Sequence, residues 1–116
     1  MMFKLPKNGI LRKNKNFQAV YRAGKSYANR QLVLYVLPGK TGERRVGFAA
    51  GKRLGKAVVR NRVKRLLREA YRLNQHRLSS GVDLILVGRQ PIIAERLPAV
   101  VAAFIQVCGR AGIVVR

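Results

Sequence analysis

Six side chains in this sequence are of the types that do acid–base, metal or thiol chemistry: Glu43, Glu69, Asp83, Glu95, His76 and Cys108. Two-metal phosphodiester hydrolysis needs carboxylates converging on ions about 3.5–4 Å apart. The four acids are expected in a turn, a helix, a strand and a helix start, a spread that promises no such convergence and leaves Glu69 and Asp83 as easily structural ion-pair partners. His76 closes a long helical stretch in "NQHRLSSG", where it interacts favourably with the helix C-terminus. Cys108 lies in the apolar "AAFIQVCGRAG" and is expected to be an ordinary buried thiol. The loop "GKRLGK", 51–56, lacks the Gly-Lys-Ser/Thr ending of a phosphate-binding Walker loop. The expectation is no catalytic residue and no metal site on this chain.

The chemistry that does stand out is cationic. In "KAVVRNRVKRLLR", 56–68, six of thirteen residues are Lys or Arg and none is acidic; from 52 to 68 there are eight, with no acid. At 100° per residue, Val59, Val63, Leu66, Leu67, Ala70 and Leu73 form an apolar stripe roughly 120° wide. Arg60, Arg62, Lys64, Arg65, Arg68 and Arg72 fan over the rest. A merely solvated face predicts mixed signs, because like charges at i,i+4 cost roughly 0.2–0.5 kcal/mol per pair. Arg60, Lys64 and Arg68 form such a like-charged series, so the helix is expected to bind phosphates. Arginine's planar fork suits bidentate phosphate contacts, and Asn61 between two arginines can read a base edge, a sugar hydroxyl or a phosphate. The stripe of Val, Leu and Ala fits docking on a sheet better than a membrane interface. With neither a helix-turn-helix pair nor zinc-ligand spacing, RNA is favoured over duplex DNA. RNA binders set aromatic platforms beside the charge, and Phe17, Tyr21 and Tyr35 are available.

These residues need elements to hold them. A helix is expected over about 14–23, capped by Asn14 or Asn16 and ended by Gly24 in a left-handed conformation. "QLVLYVL", 31–37, and "RRVGFAA", 44–50, read as an antiparallel hairpin about the turn "PGKTG". The long helix is expected over 57–76, a strand over 81–89 and a last helix over 94–108. Within the first apolar strand Leu32, Leu34 and Val36 face one way, and Val33, Tyr35 and Leu37 the other. Two long helices on one face and a short one on the other would leave a partly open cleft lined by aromatics. Residues 1–12 and 110–116 read as loose tails on a single RNA-binding domain, 1–116.

Composition agrees. The 116 residues hold 25 Lys plus Arg against 4 acids, a formal net charge of +21, with 48% hydrophobic residues, so this is a folded polycation. Self-repulsion at that charge favours a polyanionic partner that stabilises the compact state. No apolar run reaches the roughly 18 residues of a membrane span. The start has no secretory pattern, and a single cysteine suits a reducing cytoplasm.

"VVRNRVKRLLREAYR" resembles the RNR motif of the bacterial ribonuclease P protein family, with Arg60, Asn61 and Arg62 as its letters. "KNKNFQAVYRAGKSYANRQLVLYVLPG" is similar to that family's first helix and strands, "RRVGFAAGKRLGKAVVRNRVKR" to its later sheet and signature, and "DLILVGRQP" to its last strand. The resemblance implies an α+β fold in α-β-β-β-α-β-α order, with a mainly antiparallel sheet and a left-handed βαβ crossover. That order demands a strand beyond the three already read, placed at "KSYANR", 25–30. It also implies the protein subunit of a ribonucleoprotein endoribonuclease that removes the 5′ leader of precursor tRNA. Its partners would be the catalytic RNA subunit and precursor tRNA, with no required protein partner and no membrane. The cofactor would be Mg²⁺, held mainly by the RNA. Residue by residue, the resemblance puts Lys52, Arg53, Arg60, Asn61, Arg62, Lys64, Arg65 and Arg68 against the RNA subunit, and Phe17, Tyr21, Tyr35 and Arg89 in the leader cleft. Tyr21 stands where the family often has Phe, and Ala50 and Gly51 where it often has Ser. Salt-dependent binding of a generic, ribosomal-type RNA partner is the main rival function; a membrane-active polycation is the third.

Overall fold

A computed structural model describes residues 9–39 and 42–115. The elements are α1 (Asn14–Ala23), β1 (Lys25–Ala28), β2 (Leu32–Pro38), β3 (Arg45–Ala49), α2 (Ala57–Asn74), β4 (Val82–Gly88) and α3 (Leu97–Arg110), with short 3-10 turns at Lys52–Leu54, Gln75–Arg77 and Gln90–Ala94. This is the α-β-β-β-α-β-α order that the resemblance implies, and β1 falls within 25–30 as it requires.

The four strands lie in the order β1-β2-β4-β3. Antiparallel pairing joins β1 to β2 and β2 to β4, while β3 runs parallel to β4. The expected hairpin of β2 with β3 is therefore corrected: β4 lies between them. The central position of β4 explains its composition. Leu84, Ile85 and Leu86 are fully buried, because both faces of the strand are covered. The parallel β3–β4 pair, joined through α2, is the βαβ unit of the fold.

Alternation along the strands divides the core. Leu32, Leu34, Val46, Leu84 and Leu86 point to one face and pack with Val63 and Leu67 of α2 and Phe104 and Val107 of α3. On the other face, Ile85 packs with Leu11 and Val20, flanked by Phe17, Tyr35, Leu37 and Val87. Two glycines set the distance between layers. A Cβ on Gly88 would lie 2.5 Å from Cγ1 of Val63, so its absence lets α2 close on the sheet; one on Gly47 would lie 2.4 Å from Cζ of Phe17.

Several local expectations need correction. Lys13 is the N-cap of α1 and makes no side-chain cap, and Gly24 is extended, with φ −77°. Glycine is required there for space, since its Cβ would meet the Val20 carbonyl at 2.5 Å and that of Val36 at 3.0 Å. The last helix starts at Leu97, after a 3-10 turn that carries Pro91. Parts of the supposed loose tails are anchored. Leu11 is buried and donates its N–H to the Val46 carbonyl at 2.8 Å. At the other end Ile113 is buried, Val114 bridges Leu78, and the Val115 N–H reaches the Arg77 carbonyl at 2.7 Å. Residues 1–8 and 116 of those tails lie outside the described residues, as do 40 and 41 of the expected "PGKTG" turn.

Candidate nucleic-acid interface

α1 crosses only part of its face of the sheet. Phe17 rests on Gly47 of β3, Val20 sits over Ile85 of β4, and Gly24 meets Val36 of β2. Half-buried Val33, Val87 and Ala49 are left without a helix above them; Val87 pairs with both neighbours. This is the partly open cleft expected from a short first helix, and all three expected aromatics meet along its α1 wall. The ring centroids of Phe17 and Tyr21 are 6.2 Å apart, and Tyr21 meets Tyr35 edge-on at 5.0 Å. Tyr21 is 37% exposed, an amphipathic ring at the lip of the cleft. Partial burial, and then the neighbouring Tyr35, raise the Tyr21 pKa above that of a free phenol, so the Tyr21 hydroxyl stays a protonated donor at neutral pH.

The opposite rim is cationic. Arg53, Leu54, Val87, Gly88 and Arg89 line a recess of about 350 Å³. Arg89 is held by its backbone N–H on the Gln31 carbonyl and by Nη1 on the Asn29 carbonyl, each at 2.8 Å. Leu54 is buried and anchors the turn that carries exposed Lys52 and Arg53. Gly55, at φ 130°, then redirects the chain into α2.

On α2 the apolar stripe faces the sheet: Val63, Leu67 and Ala70 are fully buried, and Val59, Leu66 and Leu73 are half-buried. Tyr71 and Asn74 are buried as well, which the stripe did not include. Asn61, Arg62, Lys64, Arg65 and Arg68 are exposed. The cations are not equivalent. Arg62 donates to the carbonyls of Ile93 (3.0 Å) and Glu95 (2.9 Å), Arg60 donates to that of Gly55 (3.2 Å), and Arg68 lies over the Phe48 ring at 5.7 Å. The side chains of Asn61, Lys64 and Arg65 make no hydrogen bond or ion pair within the described residues, leaving their polar groups open to a partner.

The acids do what the sequence suggested for two of them. Arg45 chelates Asp83 with two bonds of 3.0 and 2.8 Å across the parallel strand pair. Glu69 accepts from Arg72 one turn along, which holds its carboxyl below the usual range. Both carboxylates already carry a guanidinium and sit on different elements, so these donors do not fit a Mg²⁺ site. Among the described residues no three His, Cys, Asp or Glu come together. Cys108 is buried in the core, and desolvation pushes its thiol up to about 12.

Arg44 is the residue whose role the sequence reading missed. It donates to the Tyr71 hydroxyl and to the carbonyls of Gln75, Leu78 and Ser79, at 2.8 to 3.1 Å. A guanidinium at the end of α2 neutralises the carbonyl end of the helix dipole, so this cation locks the fold. Nothing in "GERRVG" separates it from a surface arginine.

Fold and site together define a polycationic α+β protein with an aromatic-walled, half-open sheet face and two carboxylates engaged in ion pairs. Residues 5–112 match the family model described as Ribonuclease P. Ribonuclease P protein components of Clostridium botulinum and Clostridium perfringens are 43% and 46% identical to it. The first match covers 92% of this chain and 97% of the relative, the second 89% and 88%. The solved ribonuclease P protein of Staphylococcus aureus is similar at TM-score 0.83 and 32% identity, covering 91% of this chain and 97% of that one. The Thermotoga maritima protein is similar at TM-score 0.79 and 25% identity, covering 86% and 94%. The chain belongs to the ribonuclease P protein family, the protein components of a ribonucleoprotein endoribonuclease of tRNA processing.

Proposed function

We propose that this chain serves 5′-leader removal by presenting two surfaces to RNA. The arc of exposed Lys52, Arg53, Asn61, Arg62, Lys64, Arg65 and Arg68, with half-buried Arg60, binds the RNA subunit. The cleft of Phe17, Tyr21, Tyr35 and Arg89 takes the single-stranded leader of precursor tRNA. The observation that carries the second assignment is the cleft itself. An aromatic wall faces a cationic rim across an apolar floor, which supplies stacking for bases and charge for the backbone in one channel. The pinned cations, Arg60 and Arg62, give the first surface a fixed geometry, and the unpaired ones give it adaptable contacts. The Mg²⁺ that hydrolysis requires is held mainly by the RNA subunit, since Asp83 and Glu69 are each taken up by an arginine. Its place of work is the cytoplasm, where a reduced Cys108 is at home.

A generic RNA binder would share the charge but would not distinguish precursor from mature tRNA. Replacing Tyr35 by Ala in the assembled ribonucleoprotein tests this. Stacking is worth roughly 1–3 kcal/mol per base, so precursor affinity should fall about tenfold while mature tRNA affinity and assembly hold. Equal loss for precursor and mature tRNA would assign Tyr35 a structural role.

A further inference from the structure

Away from the leader cleft, the stripe of α2 between its basic arc and its buried face meets the first residue of α3. Arg62, Arg65, Leu66, Glu69 and Leu97 line a groove there of about 410 Å³. We propose that this groove receives one unpaired, amino-bearing nucleobase of the RNA partner together with its phosphate. The inference rests on the proposed RNA-subunit surface and adds a base-selective subsite to it.

Three features point to that occupant. The floor is two half-buried leucines on facing elements, an apolar surface suited to a single splayed-out ring. Arg62 is immobilised by the Ile93 and Glu95 carbonyls, and Arg65 has no partner within the described residues, so a fixed and a free guanidinium stand ready for one phosphate. Glu69 closes the far end as an ionised acceptor, because Arg72 bonds it through Nε to both oxygens and through Nη2 to Oε1. That leaves a lone pair on Oε2. Adenine, cytosine and guanine each carry an exocyclic amino group that can donate to it; the one base donor of uridine, N3–H, sits between two carbonyls that the carboxylate repels. The cations around the groove disfavour a basic peptide. A floor one ring long is too short for the i, i+3, i+4, i+7 anchors of a docked helix.

The test uses the full chain at two levels. Methyl resonances of Leu66 and Leu97 are followed by NMR during titration with AMP, CMP, GMP, UMP and inorganic phosphate. Both leucines should shift with at least one amino-bearing nucleotide, and with neither UMP nor phosphate. Glu69→Gln, whose amide can donate to a uracil carbonyl, should let UMP in. Affinity for a ribonuclease P RNA should fall about tenfold in Leu97→Ala, which removes half of the apolar floor that the base would cover. Methyls unmoved by every nucleotide, or moved equally by UMP, overturn the proposal. Wild-type RNA binding that Leu97→Ala and Glu69→Gln leave unchanged overturns the groove alone. Failure of the wild-type chain to bind the RNA overturns the RNA-subunit surface, and the subsite with it.

Discussion

Gly47 and Gly88 lie on opposite faces of the sheet, and alanine at each presses on a different helix. In Gly47→Ala the new methyl would stand 2.4 Å from Cζ and 2.9 Å from Cε1 of Phe17. Ordinary contact begins near 3.4 Å, so the ring must retreat by about 1 Å. Phe17 is fixed to α1 and leans on Tyr21, so its displacement disturbs the aromatic wall of the cleft. Overpacking of this kind costs about 1–3 kcal/mol, which at about 4 °C per kcal/mol for a chain of this length lowers Tm by about 4–12 °C. Gly88→Ala sets its methyl 2.5 Å from Cγ1 of Val63, beneath the basic helix, with a similar loss of stability. The functional outcomes should separate. Gly47→Ala loses preference for precursor over mature tRNA while RNA-subunit affinity holds, whereas Gly88→Ala, which bears on α2 and on the recess beside Arg89, weakens RNA-subunit affinity. Calorimetry and binding to the RNA subunit, precursor and mature tRNA, all at one salt concentration, read the pair. Parallel losses in both variants would refute the division into two surfaces.

Lys64→Ala with Arg65→Ala removes two cations without intramolecular partners, so Tm should hold while the slope of log affinity for the RNA subunit against log salt drops by about 1.4–1.8; an unchanged slope removes both from the interface. Arg62→Ala should weaken assembly and also lower Tm, because its bonds to Ile93 and Glu95 tie α2 to the start of α3; unfolding and binding curves measured together check this. The Cys108 thiol is raised from 9.0 to about 12, so the fold holds its proton more tightly than the unfolded chain. Its stabilising contribution is present in full below pH 9.0 and declines as pH rises toward about 12. Alkylation of native protein at pH 8 should therefore await unfolding, and rapid labelling would contradict the burial.

Local periodicity was a good guide wherever neighbours in sequence decide the structure. The bounds of α1 followed from the end signals at Asn14 and Gly24, although neither caps as expected, the buried stripe of α2 from apolar spacing, and the two faces of β2 from alternation. Pairing was not legible, because nothing local in β2 and β3 announces that a strand from 33 residues further on inserts between them. The run of apolar residues in β4 carried that signal, since only a strand covered on both faces needs one. β1 has an exposed, mixed sequence that looks like a loop without its partner. Gly24 illustrates a different limit: glycine at a helix end suggests a left-handed turn, yet here a crossing strand demands the space. The aromatic cleft was accessible because three rings and a short helix had only one face to share. Arg44 was not, because burial distinguishes a structural guanidinium from a binding one and composition does not.

The central claim is tested most directly by steady-state cleavage of a leader-bearing precursor tRNA by a bacterial ribonuclease P RNA at low millimolar Mg²⁺, with and without this protein. Restored turnover that depends on both RNA and protein is the predicted result. Tight RNA binding with cleavage unchanged would contradict the account and leave a generic RNA-binding protein in its place.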